Sequence, residues 1–157
     1  MLLSMKSLFL LGMLLLALPS AAMTVPLSSS QIAERSDAIV EARVVAAESV
    51  WVGSRIVTFY KMQRMEVWKD KGETSIDAVF VVGVPGGAVD SWEQKVVGAP
   101  MLLQDKRYLL CLGGPEGPRN ARIVVGWRQG VWQIDESSPA TVVSSRRAGL
   151  DALMQAP

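Results

Sequence analysis

Proton-transfer chemistry in this chain falls to its carboxylates, because the sequence holds no histidine and a single cysteine, Cys111. Without histidine there is no side chain whose ordinary pKa lies near neutrality, and the commonest zinc ligand is missing. Serine–histidine and cysteine–histidine hydrolases and histidine-based metal sites are thereby excluded. Carboxylates alone can hydrolyse glycosides, but only as a pair roughly 5 to 10 Å apart in a cleft. Glu41, Asp90, Glu93 and Asp105 are available, and their spacing along the chain pairs none of them. The sequence reads as non-catalytic, with no metal site and no cofactor. Cys111 sits among Leu109, Leu110 and Leu112 and is expected to be a buried, inert thiol.

Binding is better supplied than catalysis. The stretch from Pro85 to Met101 separates two clear strand patterns, and loops of this length in a compact domain are often functional. Gly86 and Gly87 permit a left-handed backbone or a close approach, while Asp90, Trp92 and Glu93 supply contact chemistry. The glycine pair is not a phosphate loop, since no Gly-Lys-Ser/Thr follows it. Of the five tryptophans, Trp68, Trp127 and Trp132 lie at strand ends or in a hairpin, where packing explains them. Trp51 and Trp92 are left for an exposed surface. The candidate binding set is Trp51, Pro85, Gly86, Gly87, Asp90, Trp92 and Glu93. A plainer alternative makes Gly86–Gly87 a turn, residues 94–97 a short edge strand, and Trp92 a cap on the end of the fold.

The elements that must hold this loop are mostly strands. Ser28 to Arg35 reads as a short serine-capped helix. From Asp37 to Ala47 the residues alternate, placing Ala38, Val40, Ala42 and Val44 toward a core and Ile39, Glu41 and Arg43 away from it. Residues 55–69 are rich in β-branched and aromatic side chains. There Val57 and Phe59 are in phase with Met65 and Val67, and Lys61 and Gln63 interrupt that face, so a bulge or a departure from the wall is expected. Strands follow at 76–84 and 106–112, then a glycine- and proline-rich loop at 113–120, then a hairpin joining 121–127 to 131–134. Residues 144–154 have helical spacing. Five to six strands with a helix at each end fit a mainly β fold, a small antiparallel barrel whose closure removes exposed edges.

The first 22 residues have the form of a secretory signal peptide: Lys6, an apolar run to Leu18, and small residues ending at Ala22. The run is about a dozen residues, short of the roughly 20 that span a bilayer. The expected address is secreted or periplasmic, with no membrane span after cleavage and with residues 23–157 as one domain. Lys6 is the leader's only charge, so the remainder carries equal numbers of acidic and basic side chains. That balance speaks against a nucleic-acid partner, whose phosphates call for a basic excess.

The segments Ser36–Val44, Met65–Asp70, Val84–Gly87 and Asp105–Leu110 together resemble uncharacterised bacterial secreted proteins with an OB-like barrel. In outline that type is similar to the netrin module and the tissue inhibitors of metalloproteinases. The resemblance implies an OB-like barrel more than any activity, and suggests a protease inhibitor as one reading. Inhibitors of that group chelate the protease zinc through an amino-terminal cysteine, where this chain offers Met23 or Thr24. The leading expectation is therefore a binding module for a protein. Inhibition of a secreted metalloprotease and carbohydrate binding are the alternatives, and fold alone does not choose among them.

Overall fold

The computed structural model describes residues 26–72 and 75–134. The leader, the segment 144–154 and the chain end at Met23 lie outside these residues. The fold is mainly β. One helix, α1 (Ser29–Arg35), precedes eight strands: β1 (Ala38–Val52), β2 (Arg55–Asp70), β3 (Val79–Pro85), β4 (Gly87–Val89), β5 (Trp92–Gln94), β6 (Arg107–Glu116), β7 (Ala121–Val124) and β8 (Val131–Ile134).

Six of the strands form one sheet in the order β1-β2-β3-β7-β6-β8, and β1 also pairs with β6. The second pairing closes β1, β2, β3, β7 and β6 into a ring. Neighbours in a ring of five cannot all be antiparallel, because an odd number of alternating directions does not close. The one parallel contact, Val82 against Arg122 between β3 and β7, resolves this. An all-antiparallel arrangement, as expected from the sequence, is corrected by that bridge.

The ring also needs curvature. Three register shifts interrupt the β1–β2 ladder, between Ile39 and Val40, Glu41 and Ala42, and Val44 and Ala46. Two of them leave Trp68 and Met65 of β2 without an opposite residue, and the third does the same to Val45 of β1. Extra residues of this kind bend a strand and increase its twist. The bulging anticipated on β2 thus occurs nearer its end than Lys61 and Gln63.

The core-facing set of β1 is the expected one: Ala38, Val40, Ala42 and Val44 join a buried cluster with Tyr60, Met62, Val82, Leu110 and Leu112. On β2 the inward face is Ile56, Thr58, Tyr60 and Met62, all buried. The opposite phase, read from Val57, Phe59, Met65 and Val67, is not the core face: Met65 and Val67 are exposed, and the buried Phe59 lies outside the main cluster. The alternation from Ile56 to Met62 is unbroken, and the polar Thr58 on the inward side is what makes that face hard to read.

The outer side of the ring is covered where α1 lies. Ser28 caps the helix, its hydroxyl accepting from the Gln31 N–H while the Gln31 side chain accepts from the Ser28 N–H. Ile32 and Ala33 then pack on Ile39 and Cys111, with Leu27, Trp68, Leu109 and Val125 around them. At the helix end Lys69 donates from Nζ to the Ala33 carbonyl at 2.6 Å, and the Ser36 hydroxyl donates to the Ile32 carbonyl at 2.6 Å. Beside this cluster Glu41, fully buried, forms an ion pair with Arg107. Thus Ile39 and Glu41, expected on a solvated face, are both inside. Glu41 serves as a structural anion there.

Several boundaries also differ from the sequence pattern. β1 runs on to Val52 and turns through Gly53 and Ser54 directly into β2. β3 starts at Val79, although Ile76 is buried ahead of it. Residues 113–116, expected as loop, continue β6, and the turn is confined to 117–120 with left-handed backbone at Gly117, Arg119 and Asn120. β7 and β8 do not pair with each other. They lie end to end along β6, β7 on Leu112–Glu116 and β8 on Arg107–Leu110, because a 3-10 turn at Trp127–Gly130 keeps the chain moving forward.

Burial raises the Cys111 thiol above its ordinary pKa, opposed by the Ser36 hydroxyl and by Lys69. Two outcomes follow. A thiol reagent at mildly alkaline pH should modify Cys111 only after unfolding, as read by mass spectrometry. Met62→Ala, at a site with no exposure, should cost about 2–5 kcal/mol in denaturant titration.

Candidate functional site

The site grows from the way β1 outruns its β6 neighbour. β6 pairs with β1 only over Ala38–Arg43, and its approach ends where the Val44 carbonyl accepts from the Asp105 N–H at 3.0 Å. Beyond that point β1 is paired with β2 alone up to the turn at Gly53, while β2 keeps β3 as its other neighbour as far as Val57; this stretch of β1 and β2 forms an arm. The inner face of the arm carries Ser49, Trp51, Ile56 and Thr58, paired as Ser49 with Thr58 and Trp51 with Ile56.

Against this face folds the stretch that follows β3. Pro85 ends β3, and Gly86 and Gly87 take φ values of 100° and 130°, which turn the chain sharply. The Gly86 N–H donates to the Ile56 carbonyl at 2.8 Å, and the Thr58 hydroxyl donates to the Gly86 carbonyl at 2.7 Å. A Cβ on Gly87 would collide with the hydroxyls of Ser49 and Thr58. Only glycine lets β4 lie this close to the arm.

β4 and β5 form their own hairpin, with Val89 opposite Trp92. Asp90 occupies its turn at φ 52°, a conformation that Asp tolerates better than most residues. Residues 94–97 were the expected short strand, and the observed one is Trp92–Gln94. The Gln94 side chain accepts from the Ile56 N–H at 2.7 Å, tying the hairpin to the arm. Trp92 is thereby carried onto Trp51, ring centroids 6.4 Å apart at 74°. Trp51 remains 47% exposed and Trp92 66%, so the contact is a surface feature and not a core one. Glu93 pairs with Lys95 at 3.3 Å in full view of solvent.

Three hollows meet at Pro85. One of about 200 Å³ is bounded by Tyr60, Pro85, Gly86, Gly87, Glu93 and Met101. A second, of about 280 Å³, lies on the outer face of the arm among Val52, Val57, Phe59, Pro85, Pro118 and Ile123. The third, of about 170 Å³, joins them past Pro100 and Trp127. The lining is chiefly apolar. Its floor is stiffened by Arg119, whose guanidinium stands 4.8 Å from the centre of the Phe59 ring and reaches Glu48 at 2.6 Å. That hydrogen bond and charge hold the Glu48 carboxyl below its usual range, so the pair persists until pH falls below the ordinary titration of a glutamate.

The sequence-derived set is therefore partly assembled. Pro85, Gly86, Gly87 and Glu93 border one hollow, Trp51 and Trp92 stand together, and Asp90 serves the turn. Val52, Val57, Ile123 and the 117–118 turn were not anticipated, since only the long-range closure of the ring brings them to Pro85. Trp127 and Trp132, expected to be packed, are 44% and 38% exposed. Trp127 is displaced outward by the 3-10 turn, whose Arg128 N–H donates to the Gly98 carbonyl at 3.1 Å. Among the described residues no group of three or more Cys, Asp or Glu side chains gathers as a metal site, and no helix is long and apolar enough to cross a membrane. No family model and no curated protein matches this chain.

Gly87→Ala should destabilise by about 1–3 kcal/mol, the range for forcing extra volume into a packed position. Gly98→Ala, with nothing near its Cβ position, should lose less, about 1 kcal/mol. Thermal unfolding of the two variants side by side checks the difference.

Proposed function

We propose that this chain is a secreted or periplasmic, non-catalytic binding module built on an OB-like β-barrel, and that it holds a protein partner across the Pro85 ridge. The observation that carries the reading is the Trp51–Trp92 pair: two exposed tryptophans from distant segments meet edge to face, and their chain neighbours Val52 and Glu93 line two of the hollows that share Pro85. Aromatic anchors beside apolar pockets are the usual energetic centres of protein interfaces. The apolar leader ending at Ala22 supports the address.

The ring order supports the barrel reading. Counting β7 and β8 as one interrupted strand, five strands close with the first beside the fourth and the third beside the fifth. An OB-like barrel binds over its second and third strands, between the loop joining strands one and two and the loop joining strands four and five. The hollow containing Val52, Val57, Gly83 and Pro118 lies at that place. The balanced charge and apolar lining favour a polypeptide over nucleic acid as the occupant.

The test uses immobilised protein and a Trp51→Ala/Trp92→Ala double variant, each exposed to envelope and culture-medium extracts, with retained proteins identified by mass spectrometry. The intact chain should retain a partner that the double variant loses at least about tenfold, a modest effect for two anchors. Both proteins should unfold at closely similar temperatures. Equal retention by the two would contradict the reading. A metalloprotease as the partner would turn the module into an inhibitor, and quenching of tryptophan fluorescence by a glycan would replace the protein partner with a sugar.

A further inference from the structure

We propose that residues 46–52 of β1 are a dimerisation edge, at which a second copy of this chain adds its own β1 antiparallel to extend the sheet. The inference is carried by strand pairing and not by the Pro85 ridge, although Trp51 and Val52 belong to both surfaces. β1 has a ladder neighbour on both sides only as far as Arg43, β2 on one side and β6 on the other. The Val44 hydrogen bonds to Lys106 and Asp105 end the second side. From Ala46 to Val52 the strand remains paired with β2, while among the described residues no strand pairs with its other side. Val45, Ala46, Ala47 and Glu48 are exposed in consequence. The β4–β5 hairpin lies over the face of the arm, with Gly87 above the side chains of Ser49 and Thr58.

An open strand edge is a template for further pairing, and chains that remain apart blunt it with lysine, proline, an inward charge or a bulge. Here the last bulge is at Val45, and the seven residues beyond it contain no lysine and no proline. The segment Ala46-Ala-Glu-Ser-Val-Trp-Val52 is also self-complementary. A twofold axis perpendicular to the sheet keeps side chains on their own faces, so it must pass midway between the two copies of one residue, which then face each other. Centred on Glu48, it would set two like charges opposite each other. Centred on Val50, it would use only residues 48–52 before the Gly53 turn. Centred on Ser49, it uses the whole open edge: Glu48 faces Val50, Ala47 faces Trp51, and Ala46 faces Val52. Each large side chain then meets a small one, and the two Glu48 charges stand apart. This isologous pairing closes on itself and leads to a dimer, not a filament.

Sedimentation velocity over a concentration series should show a monomer–dimer equilibrium. Ala47→Lys, which puts a charge at an exposed position beside the Trp51 of the second copy, should raise the dimer dissociation constant at least about tenfold with the unfolding temperature unchanged. Ser49→Cys supplies a test that does not depend on that variant folding. Opposed Cβ atoms in an antiparallel pair lie about 4.5–5.5 Å apart, and Cys111 is buried. Mild oxidation should therefore give a covalent dimer, which Lys71→Cys, on an exposed turn, should not give. A monomer at every concentration would overturn the proposal. So would a dimer that Ala47→Lys leaves intact and Ser49→Cys fails to cross-link, because another surface would then be responsible.

Discussion

The fold depends on the first half of β1 being shared. Over Ala38–Arg43 a single strand is bonded to β2 on one side and to β6 on the other, and that double pairing turns an open sheet into a ring. Its residues are accordingly among the most thoroughly buried, with Val40 and Ala42 fully excluded from solvent. A strand covered on both faces cannot leave its outward polar residues to water. Glu41 therefore needs Arg107, and Ile39 needs the capped helix laid across it. The odd number of strands then forces the parallel contact at Val82 and Arg122, and the bulges at Trp68, Met65 and Val45 supply the bend.

The second half of β1 follows from the first. Once the β6 ladder ends at Arg107, β1 has only β2 beside it, while β2 stays paired with β3 as far as Val57, and this arm has its open edge on β1. Its inner face receives the β4–β5 hairpin through glycines that permit contact no side chain would allow. Its outer face looks onto β3 and the turn after β6. Pro85 lies between the two, which is why hollows on both sides of the arm converge there. The aromatic pair and the apolar ridge are thus products of one topological event, the end of the β1–β6 ladder at Val44.

Much of this was legible where local pattern and tertiary environment agree. The serine-capped helix, the inward set Ala38, Val40, Ala42 and Val44, the buried Cys111 and the glycine-led departure at Pro85 all follow from side-chain chemistry and period. On β2 the inward set includes the polar Thr58 while Val57 and Phe59 are apolar, so hydrophobicity alone selects the wrong face. Where a short 3-10 turn replaces a tight reversal, as at Trp127–Gly130, two strands that look like a hairpin lie in line instead. The edge-to-face contact of Trp51 and Trp92 was the least legible relation, although the sequence reading put both in one candidate set. Forty residues separate them, and their contact depends on an arm whose length is set by where β6 ends.

The most direct test of this account is amide hydrogen exchange along β1, measured by NMR at a dilution where the chain is monomeric. The account predicts slow exchange at every amide from Ala38 to Val44, and a change beyond Ala46 to an alternating pattern in which only amides bonded to β2 remain slow. Uniform protection through Val52 would contradict it, because the edge would then be covered and the arm would be part of the ring.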